Sequence, residues 1–354
     1  MHIMHVAGAR PNFPKLAPVY RAMRAQGWRQ TIVHTGQHYD VELSQQFLTD
    51  LEIPAPDLNL EVGSASQAVQ TARIMERIEH PLIDVRPDWL LVYGDVNSTV
   101  AAALVASKLG VRCAHVEAGL RSYDRTMPEE INRIVTDRLA NLLLTPSRDA
   151  DLILLREGEP ANEIAFVGNV MIDTLLHALP AARMGDFRRR HGIPAGAVVV
   201  TLHRPSNVDD PARLASIAAA LADLSVTWPV VFPMHPRTRK RLAEFGISFG
   251  SVRLLESLGY LDMLELVLSA SRVVTDSGGL QEETTALGIP CFTLRLNTER
   301  PITITEGTNE LVADPQALRS RIEARDGERP PQRRPEGWDG QAAERIVQSI
   351  QDRG

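Results

Sequence analysis

Short apolar runs rich in β-forming residues alternate with longer stretches of helical periodicity along the whole chain. This alternation is typical of βαβ units, in which a helix connects two parallel strands of one sheet. The sequence therefore predicts an α/β fold with mostly parallel sheets. In the first half we expect six strands, near residues 3–7, 31–35, 89–93, 112–116, 142–145 and 164–167. A second series of five is expected near residues 198–202, 230–234, 252–254, 272–275 and 290–294.

The two series of strands are separated by a helix-rich segment with several arginines at about 179–196. A chain of 354 residues is also longer than one ordinary hydrophobic core organises. We therefore predict an N-terminal Rossmann-like domain over 1–178 and a C-terminal Rossmann-like domain over 179–335. The remaining segment, 336–354, contains an amphipathic pattern, and we expect a C-terminal crossover helix that packs back towards the N-terminal domain.

The composition argues against several kinds of partner. The formal net charge is −6, and there is no lysine-rich or arginine-rich face that would follow a nucleic-acid backbone. No apolar run has the length needed to span a bilayer, and the chain starts directly in a strand pattern rather than a signal peptide. Cys113 and Cys291 each lie in an apolar run and are predicted to be buried thiols. We expect a cytoplasmic protein that binds neither nucleic acid nor membranes.

Two cations follow the first predicted strand. Open parallel sheets bind ligands beyond the carboxyl ends of their strands, so the polar residues at those ends are the candidates for function. Arg10 and Lys15 occupy this position near the start of a predicted helix. An anion is favoured at a helix N-terminus, and this arrangement predicts an anion-binding role for both residues.

Acidic residues follow later strands of the first half. Asp95 and Glu117 each come after a predicted strand, so both carboxylates should project towards the same side of the domain. Glu129 and Glu130 precede a predicted helix, where Glu130 is equally interpretable as a helix cap. Carboxyl groups that converge on one cleft raise one another's pKa and are suited to proton transfer at carbon.

Histidines end two successive strands of the second half, at His203 and His235. Each could be a hydrogen-bonded structural residue or a catalytic one. Their spacing does not match a zinc or iron site, so we predict no metal. The GxGxxG pattern of dinucleotide-binding turns is also missing after the first strand, which argues against a bound redox cofactor.

A turn rich in glycine connects a later strand to a helix. Ser277, Gly278 and Gly279 expose backbone N–H groups there, which favours a bound diphosphate, although a tight turn without a ligand is the alternative. One turn into the helix, Glu283 offers two oxygens in a fork that could accept both hydroxyls of a ribose. Arg300, further along the chain, is expected to approach the same cleft.

Seven motifs occur in a single order over nearly the whole chain, and together they resemble the non-hydrolysing UDP-N-acetylglucosamine 2-epimerases. They are Gly8-Ala9-Arg10-Pro11-Asn12-Phe13 with Lys15, Gly94-Asp95, His115-Val116-Glu117-Ala118-Gly119-Leu120-Arg121, Pro128-Glu129-Glu130, His203-Arg204, Asp276-Ser277-Gly278-Gly279 and Thr298-Glu299-Arg300-Pro301. The resemblance implies the GT-B fold, with an active site between two Rossmann-like domains, usually in a homodimer. It also implies reversible interconversion of UDP-N-acetylglucosamine and UDP-N-acetylmannosamine without a cofactor, by anti-elimination of UDP to 2-acetamidoglucal followed by syn-addition.

The resemblance also implies roles for individual residues. The positions that match the catalytic acids and histidine are Asp95, Glu117, Glu129 and His203, and the motifs leave open which carboxylate removes the proton. The positions that match nucleotide contacts are Arg10, Lys15, Ser277, Gly278, Gly279, Glu283 and Arg300. Leu258 and Met263 match positions that line the uracil pocket, and we add His235 to the substrate-binding set.

The chain departs from the family pattern at several places. Ser206 precedes Asn207 where many members have a glutamate, and Ile302 follows Pro301 in place of another glutamate. These departures leave the substituents of the sugar open. The alternatives are the same reaction on a modified UDP-sugar, such as a diacetamido uronic acid nucleotide, or a GT-B glycosyltransferase. The segment Gln37-His38-Tyr39 differs from that of members that bind a second UDP-N-acetylglucosamine, so no such activation is predicted.

Overall fold

The computed structural model describes residues 1–36, 47–327 and 334–354, apart from the side chain of Arg10. Within this part, the chain forms two compact units. The first unit contains residues 1–177 and 336–354, and the second contains residues 178–335. Each unit is built on one parallel sheet with helices between its strands, so the predicted α/β fold class is confirmed.

The first unit carries the sheet of the N-terminal half. Its strands are β1 (His2–Ala7), β2 (Arg29–His34), β3 (Leu58–Asn59), β4 (Trp89–Tyr93), β5 (Cys113–Val116), β6 (Leu142–Thr145) and β7 (Ile164–Phe166). Its helices are α1 (Phe13–Ala25), α2 (Gln67–Val85), α3 (Asn97–Leu109), α4 (Pro128–Leu139) and α5 (Arg148–Glu157), and α6 (Val170–Met184) contains the boundary with the second unit. The strand order is β3-β2-β1-β4-β5-β6-β7, and all the described pairings are parallel.

The second unit repeats this architecture. Its strands are β8 (Val198–Thr201), β9 (Val230–Pro233), β10 (Arg253–Leu255), β11 (Arg272–Thr275), β12 (Cys291–Thr293) and β13 (Asn309–Leu311). Its helices are α7 (Phe187–Arg190), α8 (Pro205–Val208), α9 (Pro211–Leu224), α10 (Pro236–Phe245), α11 (Tyr260–Leu268), α12 (Gly278–Leu287), α13 (Ile302–Thr305) and α14 (Leu318–Ala324). The parallel order is β10-β9-β8-β11-β12-β13.

Local sequence explains why these elements form. All five residues of β4 are buried, as expected for a central parallel strand that is covered by helices on both faces. Proline occupies the first position of α4, α9 and α10, where its missing N–H costs no helical hydrogen bond. Several helices end at a glycine whose backbone adopts the left-handed conformation, including Gly110 after α3 and Gly288 after α12.

Both sheets have the strand order of a Rossmann fold, which creates one switch point in each. The switch points lie between β1 and β4 in the first unit and between β8 and β11 in the second. Ligands of open α/β sheets bind at the carboxyl ends of the strands beside such a point. The turns that follow β1, β4, β8 and β11 are therefore the places to look for function.

The C-terminal helix α15 (Ala342–Gln351) belongs to the first unit and packs against α1. The backbone N–H groups of Ala342 and Ala343 donate to the Asp173 carboxylate at 3.2 and 2.8 Å. Burial raises the pKa of Asp173 to about 6 although these two hydrogen bonds act in the opposite direction. Asp173 on α6 thus anchors the start of α15.

All eleven predicted strands are present, with ends within two residues of the predicted positions. The sequence did not predict β3 and β13, which are only two and three residues long. Cys113 and Cys291 are buried free thiols as predicted, and burial raises their pKa to about 12 and about 11. None of the helices in the described ranges combines the length and the hydropathy that crossing a membrane requires.

Candidate active site

The turn after β1 is tied to the end of β4 by the side chain of Asn12. Its Oδ1 accepts hydrogen bonds from the backbone N–H groups of Gly8 and Ala9, both at 3.0 Å. Its Nδ2 donates to the carbonyl of Tyr93 at 2.8 Å. Because the amide is buried and uses both of its ends, it holds together the two turns that flank the first switch point. No role was predicted for Asn12, although it lies in a motif that the sequence singled out.

Lys15 and Glu117 form a buried ion pair at this edge of the sheet, with side chains 8% and 6% exposed. Gly94 lies against the pair, since a Cβ there would approach the Lys15 Nζ to 2.5 Å and the Glu117 Oε2 to 3.2 Å. Glu117 itself has a φ of +77°, a left-handed conformation that costs a non-glycine residue about 1–3 kcal/mol. The surrounding contacts therefore hold this carboxylate in one position, with Lys15 as its cation.

Asp95 follows β4 and contacts Arg133 of α4. The ion pair joins Nη1 of Arg133 to Oδ2 of Asp95, whose side chain is 27% exposed. Arg133 also contacts Glu130 one helical turn earlier, through Nη2 at 2.7 Å and Nε at 3.1 Å. One buried guanidinium thus connects the two carboxylates, and the Asp95 side chain remains partly exposed to solvent.

Glu130 stabilises the loop that precedes α4. Its carboxylate accepts the backbone N–H groups of Ser122 at 2.9 Å and Tyr123 at 2.8 Å. Burial alone would raise its pKa, but the hydrogen bonds from Ser122 and Tyr123 and the guanidinium of Arg133 bring the pKa below its usual value of 4.5. The expectation that converging acids raise one another's pKa is wrong for Glu130, because a cation and backbone N–H groups surround it.

Glu129, its neighbour, lies in the first turn of α4 and is partly buried. Its side chain forms no hydrogen bond or ion pair with any residue in the described ranges.

A buried charged layer supports the turn after β4. The His115 ring lies between Oδ1 of Asp137, at 2.6 Å from Nδ1, and the carbonyl of Gly94, at 2.8 Å from Nε2. Asp137 also pairs with Arg121 at 2.7 Å. Burial would raise the pKa of Asp137, but His115 and Arg121 lower it below its usual value. His115 thereby fixes the backbone of the turn that carries Asp95.

In the second unit, His203 is paired with Asp276 at the switch point between β8 and β11. The two side chains are 3.0 Å apart through Nδ1 and Oδ1. Asp276 is fully buried and also accepts the backbone N–H of Arg204 at 2.9 Å and Nδ2 of Asn207 at 3.1 Å. Burial opposes ionisation, but His203 and these donors lower the pKa of Asp276 to about 2. A carboxylate in this position fixes the orientation of the imidazole, and the sequence did not predict this role.

The second strand-end histidine lies beside the first. The ring centroids of His203 and His235 are 5.8 Å apart. Nδ1 of His235 accepts the backbone N–H of Arg237 at 3.2 Å, so His235 caps the N-terminus of α10. The ends of β8 and β9, two strands that the sequence predicted, thus bring these histidines side by side.

The glycine-rich turn leads into α12. The backbone N–H of Ser277 donates to Oγ1 of Thr275 at 2.9 Å, so this amide is already used, contrary to its predicted exposure to a ligand. The Ser277 side chain forms no capping bond to the helix. Because Gly278 has no side chain, the Arg300 guanidinium can lie against the start of α12. A Cβ at this position would be only 2.8 Å from Cζ of Arg300.

Three arginines surround the buried carboxylate of Glu299. Arg295 contacts it at 2.7 Å, Arg204 at 3.3 Å, and Nη1 of Arg300 also pairs with it. Burial would raise the pKa of Glu299, but the three guanidiniums hold it well below its usual range. Arg300 reaches Glu282 as well, at 2.8 Å. Sequence reasoning gave a role only to Arg300. Arg204 and Glu299 lie in motifs that the sequence singled out but were assigned no role, and Arg295 was not identified.

Glu283, one turn into α12, is buried and accepts a hydrogen bond from the hydroxyl of Tyr260 at 3.0 Å. Burial raises the pKa of Glu283 to about 7. Leu258 and Met263, near the start of α11, are partly buried and pack against the hydrophobic core of the second unit.

Some predicted residues lie beyond what the structure describes. The backbone of Arg10 heads the short 3-10 turn before α1, but its side chain is outside the description. The segment Gln37-His38-Tyr39 also lies outside the described residues. Within the described ranges, no group of three or more His, Cys, Asp or Glu residues is arranged to hold a metal ion.

The two parallel sheets of Rossmann order place the chain in the GT-B class of α/β proteins. A family model described as UDP-N-acetylglucosamine 2-epimerase matches residues 21–351. The chain belongs to this family, and the resemblance inferred from the motifs is confirmed.

Named relatives and solved structures agree with this assignment. A UDP-N-acetylglucosamine 2-epimerase homolog of Methanococcus maripaludis is 43% identical over 88% of each chain. The UDP-2,3-diacetamido-2,3-dideoxy-D-glucuronate 2-epimerase of Pseudomonas aeruginosa is 42% identical, also over 88% of each. The crystal structure of Methanocaldococcus jannaschii UDP-GlcNAc 2-epimerase in complex with UDP-GlcNAc and UDP is 39% identical, covers both chains completely and superposes with a TM-score of 0.94.

Proposed function

We propose that this protein interconverts UDP-N-acetylglucosamine and UDP-N-acetylmannosamine by inverting carbon 2. The observation that carries the proposal is the pair of carboxylates that follow β4 and β5 beside the first switch point, Asp95 and Glu117, each paired with a cation, in a chain of this family. In the first step a carboxylate takes the proton from carbon 2 while the bond from carbon 1 to the diphosphate oxygen breaks. The electron pair of that bond leaves with UDP, and 2-acetamidoglucal remains.

The second step reverses these events on the other face of carbon 2. A proton is delivered there, and the diphosphate oxygen adds again to carbon 1, so atoms and charges balance without a cofactor. Asp95, Glu117 and Glu129 supply the acid and base, since a positioned carboxyl group can both take and give a proton. His203 acts with them, because the buried Asp276 holds its ring in one orientation.

The second unit supplies the nucleotide site in this proposal. The start of α12, at Gly278 and Gly279, favours an anion through the helix dipole, and the Arg300 guanidinium lies against it. A guanidinium and a helix N-terminus stabilise the charge that develops on the departing diphosphate. Glu283 accepts the ribose hydroxyls, and Leu258 and Met263 contribute to the uracil pocket. His235 belongs to the same substrate-binding set and lies beside His203, with the ring centroids 5.8 Å apart.

Lys15 and Arg10 remain part of the proposed diphosphate site. The ion pair between Lys15 and Glu117 adds a second role for this lysine, as the cation that compensates a catalytic carboxylate.

A modified UDP-sugar is the second candidate substrate. The Pseudomonas aeruginosa relative, whose name specifies a diacetamido glucuronate nucleotide, is nearly as similar to this chain as the Methanococcus maripaludis protein is. Both candidates undergo the same elimination and addition. Parallel assays with the two nucleotide sugars decide between them, and the ratio of the kcat/KM values is the measurement.

Deuterium incorporation tests the reaction itself. When the protein is incubated with UDP-N-acetylglucosamine in D2O, we expect UDP-N-acetylmannosamine that carries deuterium at carbon 2, because the proton removed by a carboxylate exchanges with solvent before the return step. Proton NMR of the carbon 2 position measures the exchange, and an incubation without protein is the control.

Two outcomes would contradict the proposal. Epimer formed without deuterium would exclude solvent exchange at carbon 2 and thus the elimination route. Release of UDP only after an acceptor is added, with no epimer, would indicate the third possibility, a glycosyltransferase.

We further propose that the protein works as a homodimer in the cytoplasm. The dimer rests on the family resemblance, and the location on two buried free thiols, which fit a reducing compartment. Light scattering on the purified protein should give the mass of two chains, each of 39.1 kDa.

A further inference from the structure

The hydroxyl of Tyr260 donates to the Glu283 carboxylate across two helices of the second unit. Tyr260 is the first residue of α11, and Glu283 lies on α12. The donor–acceptor distance, from the Tyr260 hydroxyl to Oε1 of Glu283, is 3.0 Å, and each residue is only 7% exposed. A buried hydrogen bond to a carboxyl group restricts both its orientation and its protonation.

We propose that Tyr260 is a positioning residue of the nucleotide site, whose hydroxyl orients the Glu283 carboxylate towards the ribose, favours its ionised form and so sets the pH range of UDP binding. This inference rests on the proposed function, because it takes UDP as the ligand. Tyr260 acts on the ligand through Glu283: its hydroxyl engages Oε1, and Oε2 forms no hydrogen bond with any residue in the described ranges. A carboxylate oxygen in this position can accept a ribose hydroxyl.

Among the groups around Glu283, Tyr260 is the one that favours the ionised form of its carboxyl group. Burial raises the pKa of Glu283 to about 7, the Tyr260 hydrogen bond lowers it, and the negative charge of Glu282 raises it further. Glu282 is itself paired with Arg300.

The charged or titratable side chains on the strands packed against α12 have other partners, and on α11 the Glu265 carboxylate accepts the backbone N–H groups of Phe187 and Arg188. Arg272 of β11 pairs with Asp326, and Glu310 of β13 pairs with Arg321 and Arg325. Cys291 of β12 is a buried thiol whose pKa is raised to about 11, so it is neutral at physiological pH. Glu299, which precedes α13, is surrounded by its arginines.

The sign of the pH dependence follows from these directions. A ribose hydroxyl donates more strongly to a carboxylate than to a carboxylic acid, so UDP binding should strengthen as the pH rises through about 7. Loss of the Tyr260 hydroxyl removes the contact that lowers the pKa of Glu283. In Tyr260→Phe the pKa of Glu283 is therefore higher, and the increase in affinity for UDP occurs at higher pH.

Calorimetric titration with UDP at pH 6 and pH 9 tests the inference. We expect Tyr260→Phe to weaken binding about tenfold relative to wild type at pH 6 and to bind nearly as wild type at pH 9, which corresponds to a pKa about one unit higher. Taking the ratio of the two dissociation constants at each pH cancels the titration of the UDP phosphate. In a Glu283→Gln background, Tyr260→Phe should give the same ratio at both pH values.

Tyr93→Phe is the matched control, because Tyr93 is a buried tyrosine whose hydroxyl bonds to His5, at 2.7 Å, in the first unit. It should match wild type at both pH values. A Tyr260→Phe ratio that is equal at pH 6 and pH 9 with Glu283 present would overturn the inference, since packing alone would explain it. Failure of the wild-type protein to bind UDP at either pH would instead count against the proposed function.

Discussion

Asp95→Asn should lower the turnover of epimerisation by a factor on the order of 10² or more. The asparagine side chain keeps the shape of Asp95 but cannot take or give a proton near neutral pH. The fold should persist, because Arg133 retains its contacts with Glu130 at 2.7 and 3.1 Å and the Asp95 side chain is partly exposed. Initial rates of UDP-N-acetylmannosamine formation at saturating substrate measure the effect.

Asp223→Asn is the comparison that isolates this effect. Asp223 is another carboxylate paired with an arginine, Arg319, at 2.9 Å, but it lies on the surface of the second unit with its side chain 53% exposed. Its replacement should leave turnover unchanged. If Asp95→Asn also turned over at the wild-type rate, the proton transfers would have to be assigned to Glu117 and Glu129.

The positions of the main acids could be predicted because they depend on local sequence. Asp95 and Glu117 directly follow strands that the apolar runs identify, and parallel strands place their carboxyl ends along one edge. His203 and His235 were found in the same way. The two strands that were not predicted, β3 and β13, are too short to produce a periodic signal.

The partners of these residues could not be predicted, because they come from distant parts of the chain. Arg133 is 38 residues from Asp95, and Tyr260 is 23 residues from Glu283. The separation of Asp276 and His203 is larger still, at 73 residues. No local pattern encodes such contacts, since they depend on which loops the finished sheet brings together.

The wrong expectation for the pKa of Glu130 has the same origin. Counting carboxylates along the sequence predicts mutual repulsion, but the pKa depends on every charge and donor in the neighbourhood. Arg133 could have been suspected as a partner, since it lies three residues after Glu130 on the same helix face. The additional contact of Arg133 with Asp95 could be recognised only from the folded structure.

Arg133→Met should destabilise the protein by about 3–5 kcal/mol, because it removes the cation from a buried charge pair and leaves the other partner uncompensated. The Glu130 side chain is 1% exposed and that of Arg133 is 2% exposed, so water cannot replace the lost contact. At the same time the pKa of Glu130 should rise, since Arg133 is one of the groups that lower it. Denaturant unfolding followed by circular dichroism measures the loss of stability.

The pH dependence gives this prediction a second readout. A carboxyl group whose pKa is lowered by folding stabilises the protein above its unfolded pKa, near 4.5 for Glu130, and this contribution is lost as the pH falls through the folded value. In Arg133→Met that contribution shrinks, so the stability deficit relative to wild type should be full at pH 7 and should narrow on acidification below about 4.5.

The double variant Glu130→Gln with Arg133→Met should recover part of the stability at pH 7, because no unpaired charge remains buried. Arg319→Met, which breaks an exposed pair with Asp223 and Glu323, should cost at most about 1 kcal/mol. Equal losses for Arg133→Met and Arg319→Met would mean that the Arg133 pair contributes no more than a surface contact.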